Sequence, residues 1–504
     1  MASPYLNPPL CANIQEGLQC SNGADRFFCP RCRVVQYCGE ACQAAHWPIH
    51  KVETCQNPLI RLNWKPLWFA EHRVPTEPAA GTDYLGLPLN DPHRHKKLWG
   101  NMPAIDILEV NRNEGEDAKE QDFNILCAAS SDLRNVVKTV CRLPDEYTAK
   151  CTFVMNDFDL DIVARNIILL MVAQHMPTKE AVPAMIHLWY SARLPVALLE
   201  MIHDKLLPLI GGRFYTYWTA LRMCSDKFRR DGILLPYGAS RKGFVAWNPK
   251  FLQTPGVWPI QDDVDPHCGW SHEDIMAGAP KAPNDYLGSQ FNMLRALLIK
   301  FCTRAKKLDV HFRMYYMGCR QLPARLVQWK EDIGLYDRVK NLYMTNVSDR
   351  CNIGPATAIS TFAPLLKPLS SNPHAIMLLL FQNAVPEIDL HTSLAARLVE
   401  HQDCQQTAAN YLNYPSPHGE YEERWHPDIS RYRGGVNILR NFEVPFGKFV
   451  QEVGLPKLLL DQGFKMRDAN EHSVTKAWPK RMTPGGSKEE FMMRLATCYS
   501  GRAR

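Results

Sequence analysis

The chain has 504 residues, of which 46% are hydrophobic and 22% charged, and its formal net charge is a mild +6. This composition is typical of a globular protein with room for two to three domains. The longest apolar run, residues 162–176, is broken by Arg165 and Asn166 and is too short to cross a bilayer, which excludes a transmembrane helix. The first ten residues lack a basic start and an apolar core, so an intracellular location, cytoplasmic or nuclear, is expected.

The first 55 residues contain seven of the seventeen cysteines, with two histidines among the last of them. These residues are Cys11, Cys20, Cys29, Cys32, Cys38, Cys42 and Cys55, with His46 and His50. Thiolate and imidazole are the ligands that tetrahedral zinc prefers, and two closed sites need eight of them. Seven cysteines and one histidine predict two structural zinc ions, with no coordination position left open for catalysis.

Spacing divides these ligands between two sites. Cys29 and Cys32 form a C-x2-C knuckle, a tight turn that points two sulfurs at one ion. Cys38 and Cys42 are four residues apart, which predicts that both sulfurs lie on one face of a helix. Because the knuckle precedes this helix and follows the first cysteine pair, we predict interleaved sites. The predicted ligands are Cys11, Cys20, Cys38 and Cys42 for one zinc, and Cys29, Cys32, His50 and Cys55 for the other.

Residues 29–55, CPRCRVVQYCGEACQAAHWPIHKVETC, resemble a MYND zinc finger. The pattern of that family is C-x2-C, Tyr-Cys-x3-Cys, Trp-x2-His-Lys and a final cysteine. Tyr37, Trp47 and Lys51 match the positions that are not ligands. The resemblance implies that the zinc-binding histidine is His50, which precedes the lysine, and not His46.

Two spacings depart from the MYND pattern. Cys11 and Cys20 are separated by eight residues, where the family has two. The gap between His50 and Cys55 is one residue longer than usual.

The cysteines have a second interpretation, as buried free thiols or, in a secreted chain, as disulfides. The absence of a signal segment disfavours disulfides. A segment of about 45 residues also cannot build an adequate core alone, so metal must supply much of its folding energy. The ten later cysteines have no paired spacing and are interpreted as reduced core thiols.

Charge indicates which partner the finger binds. Between residues 11 and 55, four basic side chains balance four acidic ones, whereas a surface that follows phosphates needs a positive excess. DNA binding is therefore disfavoured. The MYND resemblance implies docking of short proline-containing segments of partner proteins. Val34, Val35 and Trp47 are candidates for lining such a groove, with packing beneath the finger as the alternative for each.

Beyond a proline-rich and tryptophan-rich linker that ends in a basic patch at residues 93–97, the pattern changes to alternating strands and helices. Apolar runs predict strands, and periodic runs predict helices. The predicted strands are residues 123–129, 151–155, 310–317, 339–345 and 375–381. The predicted helices are 133–141, 160–174, 184–192, 196–207 and 290–308. This order favours a parallel sheet in a Rossmann-like α/β body with helical insertions.

The body also resembles a known module. Residues 98–106 (LWGNMPAID), 129–135 (ASSDLRN) and 156–166 are similar to a domain of unassigned function that follows MYND fingers in many fungal proteins. A similar module opens dynein axonemal assembly factor three. The resemblance names a family and implies no chemistry.

An enzymatic alternative starts from the turn after the first strand. Ser130 and Ser131 would lie under a ligand, and Asp157 or Asp159 would reach a ribose hydroxyl, as in an S-adenosylmethionine-dependent methyltransferase. Residues 336–349 resemble the fourth strand of such enzymes. The turn, however, lacks the glycines that let a backbone approach a cofactor. The other interpretation gives Asp132, Arg134 and Asp157 turn and helix-cap hydrogen bonds in a Rossmann-like core that binds no ligand.

We expect four regions: a MYND finger at 1–58, a linker at 59–95, the Rossmann-like domain at 96–385 and an α-rich extension at 386–504. No P-loop, H-E-x-x-H or G-x-S-x-G signature occurs. The expected function is that of a protein-binding adaptor without catalytic residues.

Overall fold

The computed structural model describes residues 11–15, 18–20, 27–57, 99–100, 103–196, 220–248, 269–278, 282–333, 341–344, 346–368, 372–391, 404–412 and 438–467, with a few single positions between and after these ranges. The predicted linker at 59–95 and most of the predicted helix at 196–207 lie outside the described residues.

Residues 11–57, called the finger below, form two short hairpins and one helix. The strands are β1 (Ile14–Gln15), β2 (Leu18–Gln19), β3 (Phe27–Phe28) and β4 (Gln36–Tyr37). β1 pairs antiparallel with β2, and β3 with β4. Helix α1 (Glu40–His50) continues into one π-helical turn, Lys51–Cys55. The buried core of the finger contains Ala12, Val34, Val35 and Tyr37 besides cysteines, so it offers little apolar surface.

A parallel sheet forms the centre of the body. The remaining strands are β5 (Phe123–Ala129), β6 (Cys151–Asp157), β7 (Arg193–Pro195), β8 (Phe244–Trp247), β9 (Val310–Tyr316), β10 (Asn341–Met344) and β11 (Ile376–Leu379). Five of them lie in the order β9-β6-β5-β10-β11, and all neighbours are parallel. Counted along the chain this is the Rossmann order 3-2-1-4-5. The predicted Rossmann-like fold is confirmed.

Helices cover both faces of the sheet. They are α2 (Val110–Asn113), α3 (Arg134–Arg142), α4 (Leu160–His175), α5 (Thr178–Tyr190), α6 (Ala220–Asp231), α7 (His272–Ala277), α8 (Tyr286–Lys307), α9 (Leu322–Ile333), α10 (Pro355–Phe362), α11 (Ala384–His391), α12 (Glu443–Glu452) and α13 (Leu455–Asp461). Alternate strand residues point to opposite faces. Ile125 and Phe153 therefore belong to the large core that includes α8, and Leu126 and Val154 to the smaller core with α9 and α10.

The insertions fall between β6 and β9, where α4 to α8 and the antiparallel pair of β7 and β8 are found. Helix α8 is the central element, because it packs against α3, α4, α5, α6 and α7. It begins four residues earlier than the periodicity predicts, since the Asp285 carboxylate caps it by accepting the Gly288 N–H. Within the described residues, none of the helices combines the length and apolar character needed to cross a membrane.

Candidate metal centre

The β1–β2 hairpin explains how two distant cysteines meet. Ile14 pairs with Gln19 and Gln15 with Leu18, so the chain reverses between Cys11 and Cys20. The eight-residue gap, which departs from the MYND pattern, therefore returns the second cysteine to the first. Cys11 also bridges to Gln36 at β4, which attaches the hairpin to the rest of the finger.

The other two cysteines of this group flank the start of α1. The sequence predicts both on the helix, but the helix begins at Glu40, because Gly39 is fully extended (φ −178°, ψ 172°). Cys38 thus lies before the helix and Cys42 in its first turn. Their sulfurs are still 3.5 Å apart, and the Cys20 and Cys38 sulfurs are 3.4 Å apart.

The second group joins the knuckle to the end of α1. The β3–β4 hairpin holds the knuckle, where the Arg33 N–H donates to the Cys29 carbonyl at 3.0 Å. The π-helical turn Lys51–Cys55 accommodates the extra residue between His50 and Cys55. Its hydrogen bonds join residues five positions apart, whereas those of an α-helix join residues four apart. As a result, Cys55 Sγ lies 3.0 Å from His50 Nε2 and 3.4 Å from Cys29 Sγ.

Both groups have the size of a zinc site. The structure brings together Cys11, Cys20, Cys38 and Cys42 in one group, and Cys29, Cys32, His50 and Cys55 in the other. In each, the four ligand atoms lie within 4.8 Å of one another. Tetrahedral zinc with a Zn–S distance of ~2.3 Å requires sulfurs ~3.8 Å apart. The two groups are thus consistent with two structural zinc ions, as the sequence predicts.

Burial and crowding disfavour the charged forms of these side chains when no cation is bound. Burial lowers the pKa of His50 to about 4, so its imidazole is neutral and able to bind metal. Hydrogen bonds with Cys20 and Cys42 raise the pKa of Cys38 to about 12, and burial raises the pKa of Cys32. Crowded thiolates repel one another, and a divalent cation between them removes that penalty.

His46 is part of neither group. Its Nδ1 lies 3.0 Å from the hydroxyl of Tyr37, which is fully buried. The Tyr37 side chain therefore links α1 to β4 beside the second group.

The candidates for a peptide groove have different environments. Val34 and Val35 are buried in the finger core, so they pack beneath the surface. Trp47, at 38% exposure, and its neighbour Ile49 are exposed on α1.

The turn after β5 is filled by the chain itself. Ser131 has a left-handed backbone (φ 55°), its N–H donates to Asp157 Oδ2 at 3.0 Å, and its carbonyl accepts from Asn166 Nδ2 at 2.8 Å and Arg165. The other oxygen of Asp157 accepts the Asp159 N–H at 3.1 Å, and burial raises the pKa of Asp157 to about 6. Both oxygens of the Asp157 carboxylate therefore accept hydrogen bonds from backbone N–H groups.

A buried ion pair lies next to this turn. Arg134 Nε donates to both oxygens of Asp132 at 2.7 and 2.9 Å, and the Gly100 N–H donates to Oδ2 at 3.1 Å. Burial alone would raise the pKa of Asp132, but Arg134 and Arg165 hold it below its usual value.

Asp349, after β10, accepts the N–H groups of Gln382 and Asn383.

Known families match two parts of this chain. A MYND finger model matches residues 18–55, and a domain of unknown function, DUF4470, matches residues 98–194. The chain carries a MYND finger followed by a DUF4470 domain. No curated protein and no solved structure matches it. The MYND match begins after Cys11, whereas the geometry includes Cys11 in the first group.

Three body residues in contact with the MYND finger had no signal in the sequence. Asn284 Nδ2 donates to the Cys32 carbonyl at 2.8 Å, Tyr237 packs against the finger core, and Gly238 lies against Ala12. They are distant in the chain from the finger, and no local pattern identifies such contacts.

Proposed function

We propose that this protein is an adaptor whose MYND finger docks short proline-containing segments of partner proteins. Two structural zinc ions would shape the finger, one held by Cys11, Cys20, Cys38 and Cys42, the other by Cys29, Cys32, His50 and Cys55. MYND fingers typically bind proteins. The proposal adds that the bound segments are short and contain proline.

The exposure of Trp47 is the observation that carries the proposal. A large aromatic side chain that stays 38% exposed on a small, metal-shaped finger offers apolar area at low entropic cost. Ile49 and Val52, three residues apart at the end of α1 and in its π-helical turn, are two further exposed apolar side chains of the finger. Proline-containing segments suit it because their extended conformation is already restricted and stacks on aromatic rings.

The body is proposed to hold the finger and to catalyse no reaction. Its candidate cofactor carboxylate, Asp157, accepts two backbone N–H groups, which supports a structural role. The balanced charge of the finger supports protein over DNA as the partner. Placement in the cytoplasm or nucleus, and kinship with fungal MYND proteins and dynein axonemal assembly factor three, are part of the proposal.

Binding of fluorescent proline-containing peptides to the full chain tests this function. Trp47→Ala should weaken binding at least ~10-fold, the usual loss for a central aromatic anchor, while zinc content stays unchanged. The matched control is Trp247→Ala, because Trp247 is 40% exposed but lies on β8 of the body. Equal binding by both variants and the unaltered protein would refute docking at Trp47.

A methyltransferase-like cofactor site is the second candidate, favoured by the 3-2-1-4-5 strand order. It predicts heat on titration with S-adenosylmethionine, lost in Asp157→Asn. Absence of heat with the unaltered protein would eliminate it.

A further inference from the structure

The MYND finger and the body meet through the knuckle of the second ligand group. The side chain of Asn284 donates to the Cys32 carbonyl, and its backbone N–H donates to the Arg33 carbonyl, both at 2.8 Å. Arg33 has a left-handed backbone (φ 59°), so the knuckle has a defined shape at this contact. One body residue thus holds two successive carbonyls at the point where the chain leaves a predicted zinc ligand.

A second contact lies at Tyr237 and Gly238. The Tyr237 side chain packs against the finger core, to which Cys55 belongs. On its other side, Lys227 Nζ lies 5.2 Å from the centre of the tyrosine ring. Gly238 approaches the finger so closely that a Cβ there would lie 2.8 Å from the Cβ of Ala12.

Asp285 joins the two contacts to the core of the body. Its carboxylate accepts the Tyr237 N–H at 2.9 Å and caps α8 at the Gly288 N–H at 2.8 Å. It directly follows Asn284, so both contact points are fixed to the first turn of the central helix. Hydrogen bonds of two adjacent residues, Asn284 and Asp285, therefore connect the knuckle of the second ligand group to α8.

We propose that the finger and the body form one cooperative unit, in which zinc at Cys29, Cys32, His50 and Cys55 stabilises the body through Asn284 and the Tyr237–Gly238 contact. Metal binding orders the finger, and only an ordered knuckle presents its carbonyls to Asn284. The coupling is reciprocal, so the body also strengthens retention of zinc by the finger. This inference goes beyond partner docking and does not depend on it.

A four-way comparison of the full chain tests the coupling. Zinc-loaded and zinc-depleted forms of the unaltered protein and of Asn284→Ala are compared by thermal unfolding and by hydrogen exchange of the first turns of α8. The variant should lower the unfolding midpoint and α8 protection only in the zinc-loaded form, because the depleted finger makes no contact to lose. It should also release zinc faster to a chromogenic chelator.

Asn113→Ala is the matched control. Its side chain also donates to a backbone carbonyl, that of Leu108, at 2.8 Å and in a partly buried setting, but entirely within the body. It should lower stability equally with and without zinc and leave zinc release unchanged. If Asn113→Ala alters the zinc dependence as much as Asn284→Ala, or if zinc depletion leaves α8 unaffected, the coupling is overturned.

A second pair of variants tests the same interface without touching a hydrogen bond. Gly238→Ala should separate the finger from the body and speed zinc release, because its Cβ collides with that of Ala12. Ala12→Gly removes the colliding atom, so the double variant should recover slow release. Failure of the double variant to recover, with Gly238→Ala folded, would contradict the proposed contact.

Discussion

Polar side chains converge at two places in this protein, the ligand groups of the MYND finger and the edge of the sheet where β5 and β6 end. In the finger, sulfurs face sulfurs, as in Cys29 and Cys55 at 3.4 Å. At the sheet edge, each carboxylate faces a donor, as Asp132 faces Arg134. Metal-binding atoms of one kind that converge with no oppositely charged side chain among them indicate a bound cation. Charged side chains that are each paired with an opposite charge indicate a structural network.

The strongest way to break this comparison is to remove one sulfur of the finger. Cys38→Ser should reduce zinc from about two equivalents per molecule and unfold the finger, because structural zinc contributes ~10 kcal/mol or more at such sites. Elemental analysis and limited proteolysis of residues 11–57 measure both effects. Cys351→Ser, at an exposed cysteine of the body, is the control and should keep the zinc. Unchanged zinc content in Cys38→Ser would remove Cys38 from the ligand set.

A smaller loss of stability is expected when one charge of the buried ion pair at the sheet edge is removed. Asp132→Ala leaves the buried Arg134 without its carboxylate, and the free energy of unfolding should fall by about 3–5 kcal/mol. Chemical denaturation measures this loss, and zinc content provides the check that the finger is intact. A loss below about 1 kcal/mol would show that the pair does not hold the turn.

The smallest effect concerns the backbone of the turn. Ser131 has the left-handed conformation that glycine adopts without strain, so Ser131→Gly should change the free energy of unfolding by less than about 1 kcal/mol. Ser131→Val should cost more, because a β-branched residue fits this conformation poorly. Equal stabilities of the two variants, measured by denaturation, would contradict the assigned backbone.

Much of this architecture is predictable because its signals are local. The buried run at Phe123–Ala129 gives β5 with its observed bounds, and the Asp159 cap sets the start of α4 at Leu160. The grouping of cysteines follows from the knuckle and from interleaving. The start of α1 differs from expectation, since the extended Gly39 places Cys38 before the helix.

What the sequence could not supply is long-range. The contact of Asn284 with Cys32 joins residues 252 positions apart. Asp132 and Arg134 are close in the sequence, but the sequence does not show that their ion pair is buried. The absence of glycine at Ser130 and Ser131 did indicate that a cofactor could not closely approach the backbone there. It could not indicate that the side chains of Arg165 and Asn166 donate hydrogen bonds to the Ser131 carbonyl.

The π-helical turn between His50 and Cys55 also determines how the longer spacing of these two ligands is accommodated. A one-residue insertion in an α-helix would normally rotate every later side chain by about 100° and carry the final thiol away from its partners. Here the wider turn confines that rotation to five residues and delivers the thiol to the imidazole. In this chain the longer spacing between the two ligands therefore leaves the sulfur atom beside the imidazole.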